Sequence, residues 1–553
     1  MVTIEETKFN KDAPDEIKKM KYGSNWPVVY IINSAKEAYV GETVNASIRA
    51  GQHLQRSDRQ RLNNINIISD DDFNKSVILD LENFLINHMS ADGKFELQNI
   101  SMGNTPHHYY QQDDYEKKFN EIWMQLKNKD IVQNTIHEIE NSDIFKYSPY
   151  KNLSLDQYRV VDEVIQALVN NLATGENLTA IVEGGAGTGK TVLGIYLMKI
   201  LSEVGREKIE VDYEMDPGYA CIAENINKLP AMKIGMVIPM QSLRATVKKV
   251  FKNVKSLKQT MVLSPVDVPK DTYDLLIVDE SHRLRQRKAL AQYPAFDKNN
   301  RKLGFGNEGT ELDWILKCSK NQIFFYDAKQ SVKPSDVDKS MFEDLKLFLN
   351  TKVFSLNSQF RCAGGDEYID YIKKIISDNP PEEKKTFKEY DFKIFDDVKE
   401  MTDAIKEKDK KYGLCRTVAG YSWKWASKDD KTIMDIHIDG YHMQWNSVNK
   451  DWVNSPNALN EVGCIHTVQG YDLNYAGVIF GNEIGYDPIT NKIYVDKSQY
   501  FDMQGKTSLK SPEALKDYIM NIYTTLLTRG IRGTYVYACN RELQEYLKQF
   551  IEK

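Results

Sequence analysis

The chain has 553 residues, 41% of them hydrophobic and 27% charged, the composition of a globular protein with roughly two to four domains. Its formal net charge of −6 argues neither for nor against a nucleic-acid partner, so any phosphate contact has to come from a local basic patch. No apolar run approaches the ~18 residues of a membrane span, no basic-then-apolar leader opens the chain, and the six scattered cysteines form no C-x-x-C pair. A cytoplasmic protein with buried free thiols, no zinc site and no membrane partner is expected.

Val28-Val29-Tyr30-Ile31-Ile32 has the pattern of a buried strand, and residues 38–43 that of a second, with turn residues 33–36 between them, which predicts a β-hairpin. Residues 45–53 are expected to be helical, placing Arg49 and His53 four apart on one face. Residues 75–89 carry apolar side chains at helical spacing, with Glu82 among them. Over residues 25–105 this set resembles the GIY-YIG nuclease domain. Val28-Val29-Tyr30 and Tyr39-Val40-Gly41 stand for the two motifs, with Val28 in place of Gly and Val40 in place of Ile. Arg49 follows the second tyrosine by ten residues, His53 fits the next polar position, and Glu82 fits the helix-borne metal glutamate. The family's late asparagine is Asn99 or Asn104.

The resemblance implies a Mg2+-dependent endonuclease, with Mn2+ as a substitute. Glu82 would hold the metal and Arg49 would stabilise the pentavalent phosphate. Tyr30 would be the general base, with Tyr39 or His53 assisting. A tyrosine titrates near 10, so Tyr30 needs positive charge close by. Arg49, Arg56, Arg59 and Arg61 form a basic cluster. It is either a footprint for a nucleic-acid backbone, with Arg56 and Arg59 on phosphates, or a solvated face balanced by Asp70, Asp71 and Asp72.

After the polar turn at His107-His108, a helix is predicted over 115–139, with Phe119, Ile122, Trp123 and Leu126 at helical spacing. Residues 106–150 read as a helical connector.

Gly184, four residues, then Gly189-Lys190-Thr191 is the G-x-x-x-x-G-K-[ST] pattern, set between a buried strand over 178–182 and an apolar-faced helix over 192–201. Backbone N–H groups around Gly184, Gly187 and Gly189 suit a polyphosphate. Lys190 would reach the β/γ-phosphates of ATP, and Thr191 would ligate Mg2+. Residues 274–282 form a strand ending in Asp279, which would share that ion, and Glu280, which would polarise the attacking water. Upstream, Gln157 stands where helicases read adenine.

Residues 322–330 end in D-x-x-Q, and here the chain resembles superfamily 1 helicases, with Tyr326 in place of the glycine of their third motif. That resemblance gives Gln330 the role of γ-phosphate sensor. Ser358-Gln359-Phe360-Arg361 resembles the fourth motif, which puts Arg361 on the γ-phosphate. Residues 461–472 resemble the fifth, with Thr467 and Gln469 touching nucleic acid or relaying to ATP. Residues 526–538 resemble the sixth, with Arg529 the first candidate for an arginine finger and Arg532 the second. The basic run Arg283, Arg285, Arg287 and Lys288 is a solvated face or a nucleic-acid contact. Residues 362–368, 418–425 and the block around Gln469 bring the resemblance closer, to the Schlafen group 3-type helicase domain of bacterial proteins, over about 150–545. Trp423 and Trp425 stack on bases or pack as strand tryptophans.

The expected fold is α/β. A small GIY-YIG domain covers 1–105, a connector 106–150, a RecA-like lobe 151–350, and a second RecA-like lobe 351–553 with an insertion about 365–455. The expected function is an ATP-dependent helicase or translocase coupled to an endonuclease, on DNA in preference to RNA. Family analogy points to bacterial defence against phage. The rival readings are a nucleic-acid sensor whose ATPase licenses cleavage without unwinding, and a repair enzyme.

Overall fold

The structure is a computed structural model that describes residues 2–99, 109–150, 153–185, 187–204, 217–288, 290, 292–328, 330, 335–356, 363–448, 451–468, 471–502, 506 and 511–553. The first sheet contains β1 (Thr3–Lys8), β2 (Val28–Asn33), β3 (Glu37–Thr43), β4 (Asn64–Ser69) and β5 (Glu96–Leu97), in the order β1-β4-β2-β3-β5. Its pairs are antiparallel except β3 with β5. The predicted hairpin forms, with Tyr30 opposite Gly41 and Ile32 opposite Tyr39. Strand alternation splits β2 between two cores. Val29 and Ile31 pack with the helix Lys75–Asp92, while Val28, Tyr30 and Ile32 pack with residues of the helices Ala13–Lys19 and Ala46–Leu54. Asn45 and Asn74 cap the two site-bearing helices by accepting from the Ile48 and Val77 amides.

The helix expected over 115–139 runs instead as Gln112–Asn128, followed by a separate helix Ile136–Glu140. Asp130 adopts φ 54°, which breaks the first helix. The Asp92 carboxylate then captures the Gln133 and Asn134 amides at 3.0 and 2.7 Å, a competing use of backbone donors.

The second sheet holds β6 (Thr179–Gly184), β7 (Ile234–Val237), β8 (Val262–Leu263), β9 (Tyr273–Val278), β10 (Ser319–Tyr326) and β11 (Thr351–Leu356), ordered β11-β6-β10-β9-β7-β8. Every pair is parallel. The third sheet holds β12 (Asp391–Ile394), β13 (Cys415–Ala419), β14 (Ile436–Ile438), β15 (Tyr441–Trp445), β16 (Glu461–Gly463) and β17 (Leu473–Phe480). A separate hairpin, β18 (Ile484–Asp487) with β19 (Lys492–Val495), precedes its last strand β20 (Gly530–Ala538). Its order is β12-β20-β17-β13-β16-β15-β14, parallel except at β14. The α/β architecture with two RecA-like parallel-sheet lobes is therefore present.

Two details differ from the expected partition. β11 lies beyond residue 350 yet pairs with β6, whose outer backbone groups need a partner. Within 365–455, β12 and β13 are strands of the second lobe's own sheet, so the added material there is the β14–β15 edge and its loops. One apolar core joins Val29 and Ile31, Trp123 of the connector, and Val182 and Leu193 of the first lobe. Cys318, Cys415 and Cys464 are buried as expected, whereas Cys221 is exposed. Among the described residues no helix is long and apolar enough to cross a membrane.

Candidate functional site

In the first parallel sheet, β10 lies between β6 and β9. Their carboxyl ends therefore bring the phosphate loop, Asp327 and Asp279 side by side, where open α/β sheets bind ligands. Gly189 has φ 80°, and a Cβ there would lie 2.3 Å from Gln157 Nε2, so the loop needs glycine on both counts. Lys190 begins the helix Lys190–Glu203. Its ammonium bonds the Gly184 and Gly185 carbonyls at 2.6 and 2.7 Å and lies 3.7 Å from Asp327 Oδ2. The same Asp327 oxygen accepts from Gln330 Nε2 at 2.7 Å. Lys190, Asp327 and Gln330 thus form one chain of polar contacts. Asp327 has no assigned role in the sequence reading, although it is the acid of the D-x-x-Q pattern.

Asp279 is fully buried, and nearby Thr191 favours its charged form. One carboxylate oxygen accepts from the Glu280 amide at 2.9 Å, and the other has no hydrogen-bond partner. A buried, partnerless carboxylate oxygen beside the loop threonine fits a divalent cation. Burial and the neighbouring Glu280 charge raise the Asp279 carboxyl above the usual range. Glu280 sits at φ 48°, a left-handed conformation that aims its side chain at His282, 3.1 Å away. Although burial opposes it, the His282 imidazole holds the Glu280 carboxyl well below the usual range. The D-E-S-H run showed His282 without a role; the geometry makes it the partner of Glu280.

Gln157 closes a capping box with Ser154, accepting from the Ser154 amide at 3.0 Å. Its Nε2 donates to the Thr188 carbonyl at 2.9 Å. The amide oxygen thus caps its own helix, while the amide nitrogen braces the phosphate loop. Arg529 is buried, with Nη1 3.4 Å from the Tyr471 carbonyl. Arg532 is exposed and lies over the Tyr412 ring at 4.9 Å. Thr467 is buried, and its hydroxyl bonds Cys464 O at 3.0 Å. Arg361 and Gln469 lie outside the described residues. Trp423 and Trp425 sit half-buried on a loop rather than a strand, packed against the second lobe's core.

A second constellation lies in the first sheet. Tyr30, Tyr39, Arg49 and His53 converge. Tyr30 Oη is 2.8 Å from His53 Nε2 and accepts from Arg49 Nε at 3.4 Å. The Tyr39 and His53 rings stand 4.9 Å apart. A Cβ on Gly41 would lie 2.3 Å from Tyr30 Oη, so the glycine of Tyr-Val-Gly makes room for the opposite tyrosine. Glu82 is buried, and its negative charge contributes to the raised pKa of both Tyr39 and Tyr30. Burial dominates for Tyr30 and pushes it well above 10, more than Arg49 lowers it. Burial and the nearby arginines push His53 down to about 2, so the imidazole is neutral. Asn99 brackets Val40 on β3, with Oδ1 accepting from its amide at 3.1 Å and Nδ2 donating to its carbonyl at 2.8 Å. Asn104 lies outside the described residues.

The basic cluster divides. Arg59 is buried over the Tyr39 ring at 3.9 Å and pairs with Asp58, so it faces into the constellation. Arg56 pairs with Asp58 at 3.1 Å and Arg61 with Glu37 at 3.4 Å. Asp70 and Asp72 pair with Lys118, and Asp71 pairs with Lys21. Among the described residues no group of three or more His, Cys, Asp or Glu side chains could hold a metal. Glu82 alone still suits Mg2+, which keeps several waters and binds through one or two carboxylates.

One parallel and one largely parallel sheet, with a Gly-Lys-Thr phosphate loop beside buried Asp279 and half-buried Glu280, define a P-loop NTPase with tandem RecA-like lobes. The chain belongs to the Schlafen group 3, DNA/RNA helicase domain family, whose model matches residues 178–540. It is therefore a helicase-family ATPase, a nucleic-acid helicase or translocase. An uncharacterized protein of Saccharomyces cerevisiae is 29% identical over 430 residues, covering 71% of this chain and 90% of its own length. Among solved structures, an arterivirus nonstructural protein 10 (helicase) in complex with DNA is 12% identical with a TM-score of 0.26. That match covers 70% of this chain and 66% of the viral chain, just under two thirds of its length. The Pif1 helicase from Candida albicans is 10% identical with a TM-score of 0.25, over 72% of this chain and 99% of that chain.

Proposed function

We propose that this protein is an ATP-driven nucleic-acid motor whose N-terminal module hydrolyses phosphodiester bonds. One observation carries the second half. Tyr30, Tyr39, Arg49 and His53 come from two strands and a helix yet meet in one cluster, built on buried Tyr30 and His53 with half-buried Tyr39 and Arg49, and Glu82 charges it from a second helix. Glu82 would hold the metal, which supplies Lewis-acid polarisation of the phosphate and positive charge near Tyr30. Arg49 is placed to meet developing negative charge on the phosphate. His53, neutral, lies 2.8 Å from the Tyr30 hydroxyl and fixes its orientation in the cluster.

In the motor, Thr191 and Asp279 would hold Mg2+, and Lys190 would exchange its loop carbonyls for the β/γ-phosphates. Glu280, fixed by His282, orients the attacking water. Gln330 reports the γ-phosphate through Asp327. Arg529, and after it Arg532, completes the cleft from the second lobe, with Arg361 as a further cation. Thr467, Gln469 and Arg56 would meet the strand. Residues 1–105 form the nuclease unit, 106–150 the connector, and the remainder the motor. DNA is the preferred substrate, and defence against invading DNA is the proposed role.

The deciding experiment incubates purified protein with labelled single-stranded and duplex DNA and RNA, with and without Mg2+ and ATP. Lys190→Ala should lose ATP hydrolysis and Glu82→Ala should lose cleavage. Cleavage that survives Glu82→Ala sinks the nuclease assignment. Cleavage that needs ATP binding but shows no strand displacement or translocation favours a switch over a motor.

A further inference from the structure

Lys199 lies on the phosphate-loop helix Lys190–Glu203, nine residues after Lys190 and about 13 Å further along its axis. It is 2% exposed, among the core residues Met198 and Ile200. Its ammonium donates to the Asn99 backbone carbonyl at 3.5 Å, lies 3.7 Å from Glu203 Oε1, and sits 4.7 Å from the Tyr150 ring centre. The side chain of that same Asn99 brackets Val40 through both its amide and its carbonyl. Val40 stands between Tyr39 and Gly41, and Gly41 faces Tyr30. One helix therefore carries Lys190 at its start and, near its end, a contact to the residue that fixes the edge of β3.

Taking an ammonium out of water costs several kcal/mol, and an apolar side chain of similar volume often serves packing as well or better. The core here is continuous from the first sheet to the phosphate-loop lobe, so packing alone does not call for a charge at this point. The distance from the cleft also removes Lys199 from contact with phosphates. We propose that Lys199 is a positioning residue that ties the Tyr39-Val40-Gly41 edge to the phosphate-loop helix through Asn99, so that nucleotide at Lys190 orders the Tyr30 cluster. The inference rests on the nuclease reading of that cluster for its functional meaning, but not for its test. The physical content is a coupling between two sites, carried by one helix and one asparagine.

The test uses the full chain and Lys199→Met, which keeps length and apolar volume. Amide hydrogen exchange of residues 37–43 is followed with and without a non-hydrolysable ATP analogue and Mg2+. In the wild type the analogue should slow exchange at Val40 at least threefold. In Lys199→Met the analogue should bind within about twofold of wild type while that protection disappears, and Lys199→Arg should restore part of it. Protection that persists in Lys199→Met, or is absent in the wild type, overturns the proposal. Should Lys199→Met not fold, Asn99→Ala breaks the bracket with Lys199 in place and is expected to lose the same protection; retained protection there also overturns it. Parallel cleavage assays with Glu82→Gln decide the nuclease reading separately, because the exchange measurement needs no cleavage.

Discussion

The Tyr30 hydroxyl lies 2.8 Å from Nε2 of His53, and both groups are buried. With His53 held at about 2 and Tyr30 well above 10, the proton of this pair stays on the tyrosine at neutral pH. His53 binds no proton in the folded chain across the range where an unfolded histidine, near 6.5, gains one. The unfolded state therefore takes up more protons below pH 6.5, and stability falls as the pH drops from 6.5 toward 2. Urea unfolding of the chain, followed at the first sheet, should show wild type losing roughly 1.5 kcal/mol more than His53→Gln between pH 6.5 and 5.0. Equal losses would mean that His53 is solvated.

Gly41 packs against the Tyr30 ring, so Gly41→Ala forces a methyl group into a buried aromatic. The expected cost is about 1–3 kcal/mol, the usual range for overpacking. Calorimetry should show a lower melting temperature and cleavage should be lost, while ATP hydrolysis per folded molecule is kept. Unchanged melting would contradict the contact.

Gln157 caps its own helix at Ser154 and braces the phosphate loop at Thr188. Gln157→Ala should weaken nucleotide use by about 1–2 kcal/mol, from a lost cap and loop contact, which is roughly 5–30-fold in kcat/KM. Because the amide is engaged by the protein, ATP and GTP should suffer alike. A selective loss for ATP would return Gln157 to the role of base reader.

Arg529 and Arg532 differ in burial, which separates their expected effects. Arg529→Ala should lower kcat for ATP by ~10³-fold or more with little change in nucleotide affinity. Arg532→Ala, which leaves an exposed ring stack, should stay within about twofold. Stopped-flow binding beside steady-state turnover distinguishes them, and a reversed order would exchange the two assignments.

Asp279 keeps a buried carboxylate oxygen without a hydrogen-bond partner. Its raised pKa means that the folded chain holds a proton the unfolded chain releases, so stability falls as the pH rises toward the folded value. At pH 8 in EDTA, Asp279→Asn should melt higher than wild type; Mg2+ with ATP should stabilise the wild type alone. Stabilisation of the variant by Mg2+ with ATP would remove Asp279 from the ion site.

Local signals were strong wherever a motif is short and contiguous. The strand before Gly184, the turn through Lys190 and Thr191, the hairpin of Tyr30 and Tyr39, and the capped helices bearing Arg49 and Glu82 all follow from spacing and capping residues readable in the chain itself. The helix break after Asn128 was not readable, because the Asp92 carboxylate that captures the Gln133 and Asn134 amides comes from a distant helix. Tertiary packing also decided that Arg59 turns inward onto Tyr39, that Gln157 braces Thr188, and that His282 holds Glu280. Lys199 is the clearest case: on paper it is one lysine on an apolar helix. Only the docking of the first sheet onto the phosphate-loop lobe places its ammonium on Asn99, because a contact across 100 residues depends on which faces are buried together and not on any local pattern.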